Sequence, residues 1–413
     1  MAGPKKNILY LIAAQGFIYL APLIVLPYLT RTLGAEGFGR IAYIQYIVNY
    51  FILITDYGFS TTATRLIAID SHSKARVSSV FANTIAVKLM LACLTGVFSL
   101  VLIAAIPAIR QYSALMFACF LGVFGNALFP TWMFQGLERM RVLALITCAS
   151  RVIPLPLFFL YVKNSDDLVT AAALQNIPGI IAAVFSFYYA IDKKLIERAE
   201  ISITSIWDMM KEGWAIFLAN ISTSFYTNIN GILIGNFAGV EQASFFYATD
   251  KLRFAAQGFI QPIASALFPR ITVLSQEPKD RQQAKRLIQH GSLMLVGIEL
   301  LCGLVMFFGA DFITVHYLGA GFMPAAIYLK SLAFLPLVIA VATIFSQWRF
   351  QALGMSVSLS RIYLIAGPLH ALYATFLTYR YHGYGLISSL YMTEIGITLM
   401  MAFILKRKKI PLF

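Results

Sequence analysis

Charged residues are scarce in this chain of 413 residues. Lys, Arg, Asp and Glu together make up 12% of it, whereas 59% of its residues are hydrophobic and its mean hydropathy is +0.76. About a quarter of a typical soluble domain is charged, so this composition excludes a soluble globular protein. The charges that do occur are confined almost entirely to short gaps between long hydrophobic runs.

Motifs of enzymes and energy-coupling proteins are also absent. The sequence contains no GxxxxGK[ST] loop, no HExxH and no GxSxG, and its longest polar segments, 191–213 and 269–289, are too short for a catalytic domain. Its four cysteines lie within hydrophobic runs and lack metal-ligand spacing. We therefore expect a protein that is not an enzyme and that binds no cofactor or metal. Any driving force must come from an ion or proton gradient, from substrate supply and removal, or from a partner.

The hydrophobic residues form about twelve runs of roughly twenty residues each. A helix needs about 20 apolar residues to cross roughly 30 Å of hydrocarbon, where only helices and closed barrels satisfy their own backbone groups. The runs therefore predict an all-α polytopic membrane protein with twelve transmembrane helices. The predicted spans are 8–30, 41–63, 80–106, 112–134, 142–162, 168–190, 214–236, 243–268, 290–310, 322–347, 362–379 and 384–405.

The distribution of Lys and Arg predicts the orientation of these spans. With an N-terminus inside the cell, the inner segments carry 22 of the 32 basic residues, the outer loops carry five and the spans carry five. Because cytoplasmic loops are enriched in Lys and Arg, both termini are predicted to be cytoplasmic. Basic residues spread around the membrane edge also explain the net charge of +14, and they argue against a nucleic-acid partner.

The chain also shows signs of an internal duplication. At an offset of 205 residues, Gly34 matches Gly239 in the outer loop after the first helix of each half, and Arg65 matches Arg270 at the inner end of the second helix. Coincidence of common loop residues is the alternative explanation. Two halves of six helices would have the same orientation, as in transporters whose substrate site lies between their halves. The predicted domains are an N-terminal lobe at 1–190, a cytoplasmic linker at 191–213 and a C-terminal lobe at 214–413.

Polar side chains recur every three or four residues on three predicted helices and so form stripes along them. Stripes of this length do not face acyl chains. Hydrogen bonding between packed helices is one explanation, but a water-filled central cavity that opens alternately to either side explains full-length stripes better. The stripes consist of Gln45, Asn49 and Asp56 on the second helix, Asn220, Thr223, Thr227 and Asn230 on the seventh, and Asp250, Arg253, Gln257, Gln261 and Ser265 on the eighth.

Nine charged residues lie well inside the spans. Each would cost at least about 2.5 to 3.5 kcal/mol at the centre of a lipid-facing helix, so such residues normally face a bundle interior and often mark a substrate or ion path. The bases are Lys88, Arg151, Lys251, Arg253 and Lys330, and the acids are Asp56, Asp250, Glu299 and Glu394.

Some of these charges have simpler explanations. Asp250 and Arg253 are three residues apart and can neutralise each other, while Lys88 and Lys330 are close enough to an interface for their side chains to reach it. Arg151 is deeper, and prolines at 154 and 156 break backbone hydrogen bonds near it. It is therefore the strongest candidate for a cavity cation.

Five motifs carry a resemblance that covers essentially the whole chain. They are PYLTRTLGAEGFG at 27–39, DYGF at 56–59, FQGLER at 134–139, FYTNINGILIG at 225–235 and ALFPRI at 266–271. As a set they resemble the bacterial O-antigen and polysaccharide-unit flippases of the multidrug, oligosaccharidyl-lipid and polysaccharide exporter superfamily. The resemblance implies two six-helix lobes that move an undecaprenyl-pyrophosphate-linked oligosaccharide from the cytoplasmic to the periplasmic leaflet of the inner membrane. It also implies that the flippase works beside a polysaccharide polymerase and chain-length machinery.

Such a substrate needs cations that stay charged inside the membrane, and amides, hydroxyls and aromatic rings for its sugars. The position of Asn230 often carries Asp in the family, so a coupling role for a carboxylate there is in doubt. The candidate substrate-binding residues are Arg31, Arg65, Lys88, Arg151, Asn220, Asn230, Lys251, Arg253, Gln257 and Lys330. The candidate coupling residues are Asp56, Asp250, Glu299 and Glu394.

Two other functions remain open at this stage. A multidrug or organic-cation antiporter of the same superfamily would need a cavity dominated by carboxylates, whereas the intramembrane charges here are nearly balanced. A membrane enzyme that polymerises or ligates lipid-linked sugars would need a large extracytoplasmic loop, and none of the predicted outer loops exceeds about a dozen residues.

Overall fold

The chain is almost entirely helical. The computed structural model describes residues 4–258, 260–276 and 280–412, with side chains from Pro22 onward except those of Gln276 and Arg281. No strand occurs among these residues, and every predicted span coincides with helical structure. The prediction of an all-α fold is therefore confirmed.

The helices are numbered in chain order. In the first part of the chain they are α1 (Pro4–Asp56), α2 (Phe59–Ile69), α3 (Lys74–Ala105), α4 (Pro107–Arg110), α5 (Ser113–Leu128), α6 (Thr131–Gly136), α7 (Met140–Val152), α8 (Leu155–Tyr161), α9 (Leu168–Asn176), α10 (Pro178–Asp192) and α11 (Ile203–Thr227). They continue with α12 (Ile229–Ala238), α13 (Val240–Gln257), α14 (Ile260–Gln276), α15 (Arg281–Phe308), α16 (Ala310–Phe312), α17 (Ala325–Leu332), α18 (Leu335–Phe345) and α19 (Ser356–Arg407). Short π-helical segments lie at Ile313–Leu318 and Ser346–Gln351, and a 3₁₀ turn lies at Ala320–Phe322.

Two glycines separated by 205 residues adopt the same backbone conformation. Gly34 has φ 69° and ψ 176° and divides α1 into two arms, while Gly239 has φ 91° and ψ 163° and separates α12 from α13. Residues with a Cβ rarely adopt such positive φ values, so glycine is required at both turns. The shared conformation at this offset supports an internal repeat.

Prolines account for several of the breaks that divide long hydrophobic runs into two helices. Pro130 lies between α5 and α6, Pro154 lies between α7 and α8, and Pro336 is the second residue of α18, just after the break at Ala333 and Phe334. Proline has no N–H to donate and its ring disfavours a continuous helix. α19 is divided instead at His382, where φ is 51°, into a first arm that ends before this residue and a second arm that begins at Gly383.

Eight helical stretches of the described residues are long and apolar enough to cross a membrane. Two of these stretches, Pro22–Ile69 and Ser356–Arg407, each reach across two predicted spans. The eight stretches thereby account for ten of the twelve predictions. The other two spans lie on α11 to α14, where the polar stripes lower the hydropathy. The chain is a multi-pass membrane protein.

The chain divides into two compact units, which are described separately. The first comprises residues 1–25 and 32–221, and the second comprises 26–31 and 222–413. The core of the first unit contains Phe59, Trp132 and Phe134. That of the second contains Leu295 and Trp348.

The short segment Leu26–Arg31 joins the second unit through hydrogen bonds. The Thr30 hydroxyl donates to the Leu318 carbonyl oxygen at 2.6 Å, and the Arg31 guanidinium donates to the His316 carbonyl oxygen. Gly319, beside this contact, has a φ of 113°, and a Cβ there would lie 2.8 Å from Arg31 Cγ. Thr30 and Arg31 are thus held by the π-helical segment Ile313–Leu318 of the same unit.

Candidate functional site

A helix break places the Asp56 carboxylate in the first unit. Asp56 ends α1, and the chain turns through Tyr57 and Gly58, whose φ values are 47° and 84°. A Cβ at Gly58 would lie 2.9 Å from the Ile216 side chain and 3.3 Å from the Gly213 carbonyl oxygen. Only glycine fits this combination of positive φ and close contact. The DYGF motif is therefore a turn that packs against α11.

Asp56 forms an ion pair with Lys88 of α3. Lys88 Nζ lies 3.1 Å from Asp56 Oδ1, which also accepts a hydrogen bond of 2.6 Å from the Ser60 hydroxyl. The Lys88 side chain is 2% exposed and that of Asp56 is 23% exposed. An ammonium group this far from water requires a counter-charge. The charge of Lys88 is thus already balanced within the first unit.

Arg151 differs from Lys88 in having no counter-charge among the described residues. It lies near the end of α7, just before the break at Ile153 and Pro154, and is half-buried. It forms no ion pair with any carboxylate in the described part of the chain. A guanidinium offers five N–H donors, which suit anions such as carboxylate and phosphate.

Three carboxamides of the first unit form a hydrogen-bonded cluster. Asn176 Nδ2 donates to Gln45 Oε1 at 3.0 Å, and Gln45 Nε2 donates to Asn49 Oδ1 at 3.2 Å. Gly122 allows this approach, since a Cβ there would lie 2.5 Å from Asn176 Oδ1. The polar stripe of the second predicted span therefore contacts α9. Its amides resemble the groups that hydrogen-bond sugar hydroxyls.

In the second unit, two charged residues of α13, Asp250 and Arg253, are paired along the helix. Arg253 Nε lies 2.7 Å from Asp250 Oδ1, and Arg253 Nη1 donates to Gln257 Oε1 at 2.6 Å. Arg253 is 6% exposed and Asp250 is 7% exposed. Farther along the stripe, Gln261 and Ser265 of α14 are exposed. The stripe thus has a buried, neutralised half and an exposed half.

Lys251 points away from this pair. Its Nζ lies over the Tyr247 ring, 4.8 Å from the centroid, and the residue is half-buried. It forms no ion pair with a carboxylate of the described residues. Of the five bases predicted to lie inside the spans, Lys251 and Arg151 are therefore the two that form no ion pair with an acid of the described residues.

A buried chain of hydrogen bonds connects three helical segments of the second unit. Asn230, which is 1% exposed, faces His370, which is fully buried. His370 Nε2 lies 3.0 Å from Asn230 Oδ1, and His370 Nδ1 lies 2.5 Å from Thr393 Oγ1. The Tyr373 hydroxyl also contacts Thr393 Oγ1. Of these four residues, sequence reasoning singles out only Asn230. A lone ionisable histidine within a span is the signal that could have identified the cluster.

The two deep glutamates have different surroundings. Glu299 of α15 is fully buried, and neither of its carboxyl oxygens has a hydrogen-bond partner among the described residues. Glu394, in the second arm of α19, is half-buried and lies within electrostatic range of Arg253 and the Tyr226 hydroxyl. Glu394 therefore borders the clusters around both Arg253 and His370, whereas Glu299 stands apart from them.

The remaining candidate residues lie at exposed positions. Arg65 pairs with Glu212, and both side chains are exposed. Lys330 Nζ lies 2.6 Å from Asp311 Oδ2. Arg31 and Asn220 are also exposed. The structure therefore gathers part of the candidate set into one cluster around Lys88 in the first unit and another around Arg253 and His370 in the second.

Comparison with known proteins identifies similar sequences along nearly the whole chain. The family model described as "Polysaccharide biosynthesis protein" matches residues 5–275. A Shigella dysenteriae protein named an O-antigen transporter is 36% identical over 399 residues, which are 96% of this chain and 98% of that protein. An Escherichia coli K12 protein with the same name is 28% identical over 406 residues, or 98% and 97% of the two chains.

Solved structures show the same fold at low sequence identity. An inward-facing multidrug resistance MATE family transporter of the MOP superfamily has a TM-score of 0.71 and 14% identity, with 98% of this chain and 95% of that one covered. A MOP superfamily transporter from Pyrococcus furiosus has a TM-score of 0.55 and 16% identity, with 99% and 98% covered. The chain has the fold of these transporters.

Proposed function

Because this chain belongs to the family of polysaccharide biosynthesis proteins and is a multi-pass membrane protein, we propose that it is a lipid-linked oligosaccharide flippase. It moves an undecaprenyl-pyrophosphate-linked O-antigen or related repeat unit from the cytoplasmic to the periplasmic leaflet of the bacterial inner membrane. The observation that carries the proposal is similarity, along nearly the full length of both chains, to a protein named an O-antigen transporter.

The charges of the membrane interior fit an anionic lipid headgroup. Lys88 and Arg253 are balanced by Asp56 and Asp250, so neither adds net charge to a binding surface. Arg151 has no such partner, and arginine holds its proton under all physiological conditions. We assign Arg151 to the pyrophosphate, because bidentate hydrogen bonds from a guanidinium match phosphate oxygens.

The sugar portion needs neutral hydrogen-bonding groups. The carboxamides of Gln45, Asn49 and Asn176 supply both donors and acceptors in the first unit, and the exposed Gln261 and Ser265 supply them in the second. Sugar hydroxyls both donate and accept, so such groups suit them. The lipid tail can remain in the bilayer throughout.

The orientation follows from the basic residues at the membrane edge. Both termini lie in the cytoplasm in this proposal, since the segments on that side carry most of the Lys and Arg. The flipped product would then reach the periplasmic face, where a polysaccharide polymerase and its chain-length machinery would use it.

Deletion of the gene in a strain that makes the polysaccharide tests the proposal. We expect undecaprenyl-linked oligosaccharide to accumulate on the cytoplasmic side and to disappear when the chain is expressed from a plasmid. Sensitivity to cationic drugs should not change, which separates a flippase from a multidrug exporter. Normal export in the deletion strain, with no accumulated intermediate, would contradict the proposal.

A further inference from the structure

The position of His370 is fixed by tight packing on both sides along its helix. Gly367, one turn before it, lies so close to α11 that a Cβ there would be 2.0 Å from the Ser222 carbonyl oxygen. One turn after it, Tyr373 contacts Thr393 of the second arm of α19. The imidazole itself has no exposed surface. Its ring nitrogens can therefore form hydrogen bonds with neighbouring protein groups but not with bulk water.

These partners determine where the imidazole carries its proton. Asn230 Nδ2 donates to the Tyr226 carbonyl oxygen at 2.7 Å, which turns Asn230 Oδ1 toward His370 Nε2. An amide oxygen only accepts hydrogen bonds, so Nε2 must carry a proton. Nδ1 faces the Thr393 hydroxyl, which can either donate or accept, and the Ser389 carbonyl oxygen is a further acceptor within reach of the imidazole. The cluster thus leaves the protonation of Nδ1 undetermined.

Both protonation states of His370 are satisfied by the same heavy-atom positions. In the neutral state, Thr393 O–H donates to Nδ1 and Tyr373 O–H donates to Thr393 Oγ1. In the charged state, Nδ1–H donates to Thr393 Oγ1, and the Thr393 hydroxyl proton turns to the Ser389 carbonyl oxygen, 2.7 Å away. The only internal change is rotation of one hydroxyl. A purely structural cross-link would not require this second arrangement.

The charged and titratable groups nearby are compatible with an added proton. Glu394 follows Thr393 and lies within electrostatic range of Arg253, which pairs with Asp250. Two acids and one guanidinium therefore lie beside the cluster, so acidic groups outnumber basic ones near the imidazole. The groups that face this region from the neighbouring helices are Tyr226 of α11, Asn230 of α12, Asp250 and Arg253 of α13, and Tyr363, Tyr373, Ser389, Thr393 and Glu394 of α19.

We propose that Tyr373, Thr393, His370 and Asn230 form a proton-binding site in the second unit, in which Nδ1 of His370 gains and releases the proton. Histidine is the side chain that ordinarily exchanges its proton between about pH 5 and pH 8. The proposal of proton binding depends only on the geometry of this cluster and not on the proposed flippase function. The further step, that this proton drives substrate movement, rests on the proposed flippase function.

Nitrogen-15 NMR of the histidine side chains tests proton binding without any substrate. The purified full-length chain contains five histidines, and the His370→Gln variant identifies the signals of His370. We expect Nε2 to be protonated throughout and Nδ1 to gain a proton in a single step as the pH is lowered from about 8.5 to 4.5. A His370 that keeps one neutral tautomer over this whole range would overturn the proposal.

The Asn230→Asp variant distinguishes a proton site from a structural cross-link. It places a carboxylate against Nε2, and an opposite charge this close stabilises the protonated form by about one pH unit or more. The titration step of His370 should therefore move to higher pH by at least that amount. Tyr379→Phe, at an exposed tyrosine on the same arm, is the matched control and should leave the step in place. An unmoved step in Asn230→Asp would contradict the assignment.

Transport in proteoliposomes then tests the coupling. Flipping of a lipid-pyrophosphate oligosaccharide by the wild type should rise several-fold under an imposed pH gradient, whereas His370→Gln should respond less than about twofold and His72→Gln should respond normally. If His370→Gln does not fold, Thr393→Val removes the relay hydroxyl with little change of shape and replaces it. An unchanged gradient response in the folded variant overturns the coupling. Absence of flipping by the wild type contradicts the proposed function instead, and leaves the NMR result to decide on proton binding.

Discussion

Lys88 Nζ and Asp56 Oδ1 form an ion pair of 3.1 Å in which the ammonium is almost completely buried and the carboxylate is not. The pair is asymmetric in its exposure, with 2% for the Lys88 side chain and 23% for Asp56. Removing either partner therefore has unequal consequences. Removing Asp56 leaves the buried ammonium of Lys88 without a counter-charge, whereas removing Lys88 leaves the partly hydrated carboxylate of Asp56.

We predict that Asp56→Asn destabilises the protein more than Lys88→Met. Breaking a buried pair from one side costs about 3 to 5 kcal/mol when the remaining charge is desolvated, and Lys88 is the more desolvated partner. The double variant should recover most of this loss. The free energy of unfolding, measured by detergent denaturation, checks the order. Arg65→Ala removes an exposed pair with Glu212 and should cost less than about 1 kcal/mol. Equal losses in the two single variants would contradict the argument.

Hydrophobic length locates ten of the twelve predicted spans, because a bilayer of fixed thickness imposes a similar length on every span. The sequence pattern does not predict which residues far apart in the chain contact each other. The stripe containing Asp56 predicts a polar face, but its contact with Lys88, 32 residues away, depends on how α1 and α3 pack. Likewise, a single histidine within a hydrophobic run marks His370 as unusual but does not identify its partners, because Asn230 and Thr393 reach it only when α12 and both arms of α19 are in place.

Arg151 offers the sharpest test of substrate binding. We expect Arg151→Ala to reduce export at least about tenfold, because losing a hydrogen bond to a charged group costs about 1.5 to 3 kcal/mol and 1.4 kcal/mol is a factor of ten. Arg151→Lys should retain part of the activity, since it keeps the charge but loses the bidentate geometry. Complementation of a deletion strain at matched expression measures both. Arg141→Ala, at an exposed arginine of the same helix, is the control. Full export by Arg151→Ala would exclude the assigned role.

Cysteine labelling tests whether the exposed half of the α13 and α14 stripe faces water. In a variant lacking the four native cysteines, Gln261→Cys and Ser265→Cys should react with a membrane-impermeant thiol reagent, because both positions are exposed. Ile260→Cys and Ala264→Cys should not react, since these residues are 3% and 0% exposed. If none of the four reacts, the exposed positions face lipid and the hydrated path lies elsewhere.

The buried carboxyl group of Glu299 is expected to make the folded protein less stable than an apolar side chain at this position would. Its carboxyl oxygens are buried and have no partner in the described structure, and a buried unsatisfied polar group costs about 1 to 3 kcal/mol. We therefore expect Glu299→Leu to raise the free energy of unfolding by about that amount. Ile298→Ala, at the adjacent position, serves as a packing control and should lower it. A destabilised Glu299→Leu variant would mean that the carboxyl group has a partner that stabilises the fold.

Glu394 and Glu299 should differ in how they affect coupling. Glu394 lies beside Arg253 and the tyrosines that surround His370, so Glu394→Gln removes the acidic group next to the cluster. We expect this variant to flip substrate with a weaker dependence on an imposed pH gradient. Glu299 interacts electrostatically with Cys302, and Glu299→Gln keeps its size and hydrogen-bonding capacity, so its gradient dependence should match the wild type. The two variants, measured in the same proteoliposome assay, control for each other. If only Glu299→Gln loses the response, the coupling proton binds in α15, and the cluster around His370 has a structural role.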